Sequence, residues 1–441
     1  MSTFYQMPAA VLEDMYVHQT LYPTYYTAYS TNYTYSDFKY EYIINTTDGA
    51  ISKSKSPPRF DEGIGRYSPN SVLDSLFGID FQPEIKSMTT CTNSILEYTI
   101  SMKEFSSSIS PSTITSTKAI ALKGGTDTFD YRNYNLTGNT SHMLTDWTST
   151  RKVTLDDWGT LRLLSGQLKP IGTSIWSRFY EVGLQRTNSV GDLAYYTHAV
   201  VNPYYGQYRD SNLQTIEDVQ GMLFDIPAAP ANLSPTGSLW NLRGYQLTGQ
   251  SSVGGLNVPV QGCPVEVGDK YEIYAYCWPY GTNGRTSKSY KFEVVASCAS
   301  NTPIQIQWEN FYGAYDFFRF DLVNTKSLNI SKSTYRKDRD SQGSYSKYLG
   351  NDRYIGHSVY DRGETVFNVD IETNYIANTD WIDKQTINDL ESLWTTKDAY
   401  AYINNTWYPI IVLNDAVPIG STRRGLRQYQ ISFRLANKTY R

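Results

Sequence analysis

A chain of 441 residues with a net charge of −4 has no overall basic field, which excludes long-range attraction to nucleic acid or an anionic membrane. Charged residues are only 19% and aromatics 15%, with 39 Tyr against 16 Phe, a balance that favours strands over helices and suits protein–protein contacts. An ordinary all-β protein with Tyr-filled cores accounts for the same composition. The length allows about three domains of ordinary size.

Residues 1–32, through Tyr22-Pro-Thr-Tyr25-Tyr26, are Tyr-rich with little periodicity. An extended arm that orders against a neighbouring subunit and a frayed terminus fit equally. No basic segment followed by an apolar core opens the chain, so no signal peptide is expected, and no run nears the roughly 18–20 apolar residues that span a bilayer. A β-rich module is expected over 33–110. Tyr33, Tyr35, Phe38, Tyr40, Tyr42 and Ile44 alternate along a strand, and Asp48-Gly49 marks a turn. Pro57-Pro58 breaks pairing, and Pro69 precedes the helical spacing of Val72, Leu73, Leu76 and Phe77. Alternation returns from Ile95 to Phe105. The Ser/Thr-rich stretch 106–117 is a loop or a boundary.

A second β-rich module with long loops is expected over 111–260, with strands near Ala119–Lys123, Val153–Leu155, Leu161–Leu164, Ser174–Leu184 and Ala194–Val201. Over 261–300 a fibronectin-like hairpin is expected. Tyr271, Ile273, Ala275 and Cys277 face one way, and Tyr274, Tyr276 and Trp278 the other. The return strand is Tyr290–Val295, and apolar residues on both faces imply a layer covered on each side. Ile304, Ile306 and Trp308 then alternate into a turn at Gly313, followed by Phe317, Phe318 and Phe320. This junction opens a C-terminal α+β domain over 301–441, with Trp308, Phe318 and Phe320 expected in the core. Strands are expected at Asn329–Tyr335, Thr365–Ile371, Trp407–Leu413 and Leu426–Leu435. One amphipathic helix is expected over about 380–396, capped by Thr379 or Asp380 with Asp383 in its first turn, and with Ile387, Leu390 and Trp394 on one stripe. The fold class is therefore mainly β: tandem β-sandwich (fibronectin/Ig-like) modules, then a C-terminal α+β unit with one amphipathic helix.

Chemistry-bearing motifs are absent from the sequence. His18, His142, His198 and His357 are isolated, and no calcium-loop or nucleophile-elbow pattern occurs. Gly63-Ile-Gly65 lacks the rest of a dinucleotide fingerprint. Cys91, Cys263, Cys277 and Cys298 are far apart, show no Cys-x-x-Cys, and are expected to be reduced in a cytoplasmically made protein. Without export, the acceptor sequences at Asn45, Asn135 and Asn404 carry no weight. Asp370 with Glu372, and Asp156-Asp157 beside Trp158, read as solvated faces before they read as a glycosidase pair. Tyr204-Tyr205-Gly-Gln-Tyr208 fits sugar stacking or subunit contact. Lys53, Lys55 and Arg59, and Arg336, Lys337 and Arg339, read as solvated loops. No catalytic residue, metal ligand or cofactor is assigned.

Several ordered signatures resemble virion proteins of tailed phages that infect Bacteroidetes hosts, including crAss-like phages. They are Phe38-Lys-Tyr40-Glu-Tyr42 followed by Pro57-Pro58-Arg59 and Gly65-Arg-Tyr67, then Leu144-Thr-Asp146 to Val153-Thr-Leu155. The third is Trp308, Asn310, Gly313, Tyr315, Asp316, Phe318 and Phe320, with Ala314 where that family usually has a second glycine. The resemblance implies a homo-oligomeric ring subunit, a dodecamer among the ring sizes, in the tail or neck of a virion. Its partners would be neighbouring tail and neck proteins, with no enzyme activity and no membrane. Contact with DNA in the tail lumen has no support in the sequence. A tail-associated adhesin for host glycans is the alternative, and an exported glycan hydrolase a distant third.

Overall fold

The computed structural model describes residues 3–7, 10–12, 15–19, 25–29, 38–46, 54–55, 64–105, 113–115, 119–124, 142–145, 147, 149–164, 179–199, 223–233, 240–246, 254–255, 262–278, 284–285, 287–297, 302–336, 364–414, 426–437 and 439–440. The chain is mainly β-sheet, as its composition implies, and forms two compact units. One unit contains 1–298 together with 307–319 and 383–397; the other contains 299–306, 320–382 and 398–441.

In the larger unit, Lys39–Thr46 pairs with Ile95–Phe105 in antiparallel register. The alternation read from the sequence is a real burial pattern: Tyr40, Tyr42 and Ile44 are buried between half-buried neighbours. Their core is built of tyrosines. Tyr42 stacks on Tyr67 at 4.8 Å between ring centres, and the Tyr26 and Tyr98 hydroxyls lie 2.9 Å apart. That mutual hydrogen bond is what allows two phenols to be buried together. The described strands among the first thirty residues join this architecture. Thr3–Met7 pairs with Tyr25–Tyr29, and Met15–Gln19 lies parallel to Ala119–Leu122.

A second core in the same unit collects residues from two sheets. Leu161, Leu163 and Ile226 come from a four-stranded sheet, and Val182, Leu184, Ile273, Phe292 and Val294 from an eight-stranded one. Trp147 sits among them, edge-on to Tyr290, Phe292 and Phe317. Lys270–Trp278 and Tyr290–Val294 form the expected hairpin. Its cover differs from the expectation. Tyr271, Ile273 and Ala275 are buried, but Glu272 and Tyr274 are only half-buried, so one face carries the core.

The smaller unit is an antiparallel sheet in the order Ala399–Ile403, Thr406–Val412, Gln430–Leu435, Glu364–Asn378 and Thr325–Arg336. Its first hairpin turns on Asn404 and Asn405, both at positive φ, the geometry a two-residue hairpin loop needs. Tyr375 stacks on Phe433 at 5.4 Å, beside buried Ala377, Ala401 and Ile431.

The single helix expected near 380–396 is two short helices, Lys384–Asp389 and Glu391–Thr395, that meet at Leu390. The cap is Asp383, whose carboxylate accepts from the Thr386 amide at 2.8 Å, and not Thr379 or Asp380. Thr379 is occupied elsewhere, its hydroxyl accepting from the Tyr429 amide. The buried stripe is Ile387, Leu390 and Leu393, with Trp394 half-buried beside it. The hydrogen bond to Thr386 holds the Asp383 carboxyl below its usual pKa. Its stabilising effect is therefore present above the ordinary carboxylate value and disappears as pH falls through the lowered folded value. Asp383→Ala is expected to cost about 1 kcal/mol at neutral pH in urea unfolding, with the difference from wild type vanishing in acid.

Candidate functional site

The turn at the sequence junction is organised by one asparagine. Asn310 Oδ1 accepts from the Tyr312 amide at 2.9 Å and the Ala314 amide at 3.1 Å. The Asn310 amide donates to the Ala314 carbonyl at 2.8 Å, and its side-chain amide donates to the Leu144 carbonyl. Gly313 alone takes positive φ, at 80°, so Ala314 in place of a second glycine carries no strain. A Cβ on Gly313 would overlap the Lys123 carbonyl oxygen, and one on Gly124 would overlap the Tyr312 backbone. Two glycines thus let two backbones touch. Phe317 enters the second core and Phe318 does not, reversing one expectation; Gln305 and Gln307 are buried along with Ile306 and Trp308.

Beneath the turn lies a buried arginine with all five N–H donors engaged. Arg162 Nε and Nη2 grip Asp225 at 2.7 and 2.9 Å. Nη1 donates to Ser94 Oγ at 3.0 Å and to the Gly313 carbonyl at 2.7 Å, and Nη2 also donates to the Asp80 carbonyl at 3.2 Å. Ser94 Oγ in turn donates to Asp80 Oδ2 at 2.7 Å. Beside it, Lys123 bridges to Glu309 at 3.0 Å. A guanidinium saturated in this way has no N–H left for a ligand, so its role is to join segments. The sequence reading passed over this pair. Its signal was a charge inside each of two apolar runs, Leu161-Arg-Leu163 and Phe224-Asp-Ile226.

Arg151 is the contrasting case. It is fully buried, 4.4 Å from the Trp147 ring centre and 5.5 Å from that of Phe318, and none of its three guanidinium nitrogens makes a hydrogen bond within the protein. Burial lowers its pKa, against the carboxylates of Asp316 and Asp389, which raise it.

The other sequence candidates are dispersed. Asp156 is exposed, whereas Asp157 is buried, binding Arg319 at 2.8 Å and the Thr154 amide at 2.8 Å. Cys91 and Cys263 are buried free thiols, and burial pushes both pKa values up, that of Cys263 to about 12. Gly65 packs against the Tyr40 ring with no room for a Cβ, which gives that glycine a packing role. Among the described residues no group of three His, Cys, Asp or Glu is placed to hold a metal. Tyr204, Tyr205, Tyr208, His357, Cys298, Lys53, Arg59, Lys337 and Arg339 lie outside the described residues.

Asp370 and Glu372 do share a face, and that face belongs to the most exposed element. Thr325–Arg336 and Glu364–Asn378 form a twelve-pair ribbon, about 40 Å long at the usual strand rise. Opposed residues share a face. One face carries Ser327, Asn329, Ser331, Asn374, Glu372 and Asp370. The other carries Leu328, Ile330, Val369 and Ile371, with Lys326 and Lys332 at its margin. A bulge leaves Phe367 unpaired between Asn368 and Val366. Leu328 and Ile330 are each 54% exposed and Phe367 66%, an unusual position for a row of large apolar side chains. No family model matches the chain, and no curated protein matches it.

Gly313→Val is expected to abolish soluble, normally folded protein, because the overlap is with backbone. Gly313→Val that purifies with wild-type melting behaviour would contradict this packing. Arg162→Met is expected to cost about 3–5 kcal/mol in denaturant unfolding, since it strands buried Asp225. Arg151→Met is expected to cost at least about 2 kcal/mol less than that, because an apolar side chain forfeits no hydrogen bond there.

Proposed function

We propose that the protein is a structural subunit of a phage virion, assembled as a ring in the tail or neck and acting through protein–protein contacts. The observation that carries this reading is the ribbon, whose Thr325–Arg336 strand holds Leu328 and Ile330 out to solvent at the edge of its sheet. Exposed rows of this kind mark surfaces that another protein covers. The sequence resemblance to virion proteins of Bacteroidetes-infecting phages supplies the setting, with synthesis in the bacterial host and residence in the virion tail. The finer architecture, sandwich modules in tandem followed by a C-terminal α+β unit, belongs to the same reading. It is supported by the core that the four- and eight-stranded sheets share. Buried Arg162, Asp225 and Asn310 join distant segments, which suits a subunit that must transmit load without opening.

A second reading, an adhesin for host glycans, is supported by Trp381, whose indole is 58% exposed. Mass spectrometry of purified virions is expected to detect the protein at stoichiometric abundance, and cryo-EM of those virions to place it in a tail or neck ring. Its absence from virions would sink the reading. Glycan-array binding abolished by Trp381→Ala would favour the adhesin instead.

A further inference from the structure

The ribbon leaves two routes to a partner, its edge and its face. Thr325–Arg336 is the last strand of its sheet, so a strand could in principle add to it. That route is blunted, because the strand carries Lys326, Lys332 and Arg336, and the bulge at Phe367 in its partner twists the pair. These are the devices that keep sheet edges from pairing. The face is therefore the usable surface. It combines Leu328, Ile330, Val369 and Ile371 with two cations, while Arg336 is offset by Glu364 at 3.7 Å. Two cations fall short of the four to eight that recruit an anionic membrane. What fits is an apolar protein surface bordered by acids.

The larger unit presents such a surface at one end of its eight-stranded sheet. Three turns meet there. The Gly268 amide donates to the Val294 carbonyl and the Val295 amide to the Val153 carbonyl, both at 2.8 Å, and Gly268 abuts Ser189. Each turn has an exposed apolar residue and an acid beside it: Leu155 with Asp156, Val190 with Asp192, and Val267 with Glu266. Most of the nearby bases are engaged in place. Lys270 bridges to Glu293 at 3.6 Å, and Arg186 and Arg319 are paired with Asp269 and Asp157, while Lys152 is exposed.

We propose that the apolar, basic face of the ribbon of one copy docks on this apolar, acidic sheet end of a neighbouring copy. Leu328 and Ile330 on the ribbon, and Leu155, Val190 and Val267 on the sheet end, are all exposed. The two patches differ, so the contact is head-to-tail, the kind that closes into a ring or extends into a filament. One ribbon face offers roughly 400 Å², about half of what each partner contributes to a standard stable interface. A ring meets that shortfall because every copy makes the contact twice, once with each patch. The inference rests on the assembly reading above and names the surfaces that would carry it.

The test uses the full-length protein and light scattering across a concentration series. Lys326→Glu with Lys332→Glu on the ribbon, and Asp156→Lys with Glu266→Lys on the sheet end, are each expected to weaken self-association about tenfold or more. The four substitutions together are expected to recover it. Circular dichroism should stay unchanged throughout, since all four positions are exposed. If wild type assembles and the ribbon variant assembles equally well, the docking proposal is overturned while the assembly reading stands. Failure of the fourfold variant to recover would also overturn the pairing of these two surfaces. A wild type that stays monomeric at every concentration removes both. Co-sedimentation with anionic vesicles, lost in the ribbon variant, would make the face a membrane surface and overturn the proposal.

Discussion

A single guanidinium fixes the geometry on which the larger unit depends. Arg162 is buried, and a buried charge is tolerated only when its hydrogen bonds are all made and a counter-charge is at hand. Here both conditions are met by groups far apart in sequence: the carboxylate of Asp225, the hydroxyl of Ser94 and the carbonyls of Asp80 and Gly313. None of these partners can move without leaving a donor orphaned in a dry interior. The glycine turn at Gly313 follows from that. Its carbonyl must reach Arg162 while its backbone lies against Gly124, and only a residue without a Cβ does both.

The ribbon shows the opposite logic. Its backbone pairs are complete over twelve positions, and its polar face is solvated by Ser, Asn, Asp and Glu. Its apolar face continues the row that starts at buried Tyr375 and runs outward through Ile371 to Val369, opposite exposed Ile330. The proposed protein–protein assembly draws on this exposed row.

Much of this was legible in the sequence where side chains alternate against a core. The strand Ile95–Phe105 is bounded as the pattern implies, and Tyr40, Tyr42 and Ile44 are buried as their spacing requires. Legibility failed where burial does not follow polarity. Gln307 is buried because its amide reaches the Trp158 carbonyl, and Arg162 because five acceptors surround it; neither partner is close in sequence. The strand Ala399–Ile403 was overlooked because its alternating alanines are small, and its Asn404-Asn405 turn lacks the glycine that usually marks a hairpin. The ribbon was read too short for a related reason. A strand exposed on both sides has no core to impose a pattern, so Lys, Ser and Asn interrupt the apolar row.

The central claim is that Arg162 and Asp225 act as one unit that holds distant segments together. A double-mutant cycle with Arg162→Met and Asp225→Leu, followed by denaturant unfolding, tests it most directly. The two substitutions combined should cost less than the sum of the single losses by more than about 2 kcal/mol, because removing both charges leaves neither stranded. Strictly additive losses would mean that the pair is incidental to the fold, and would contradict the account.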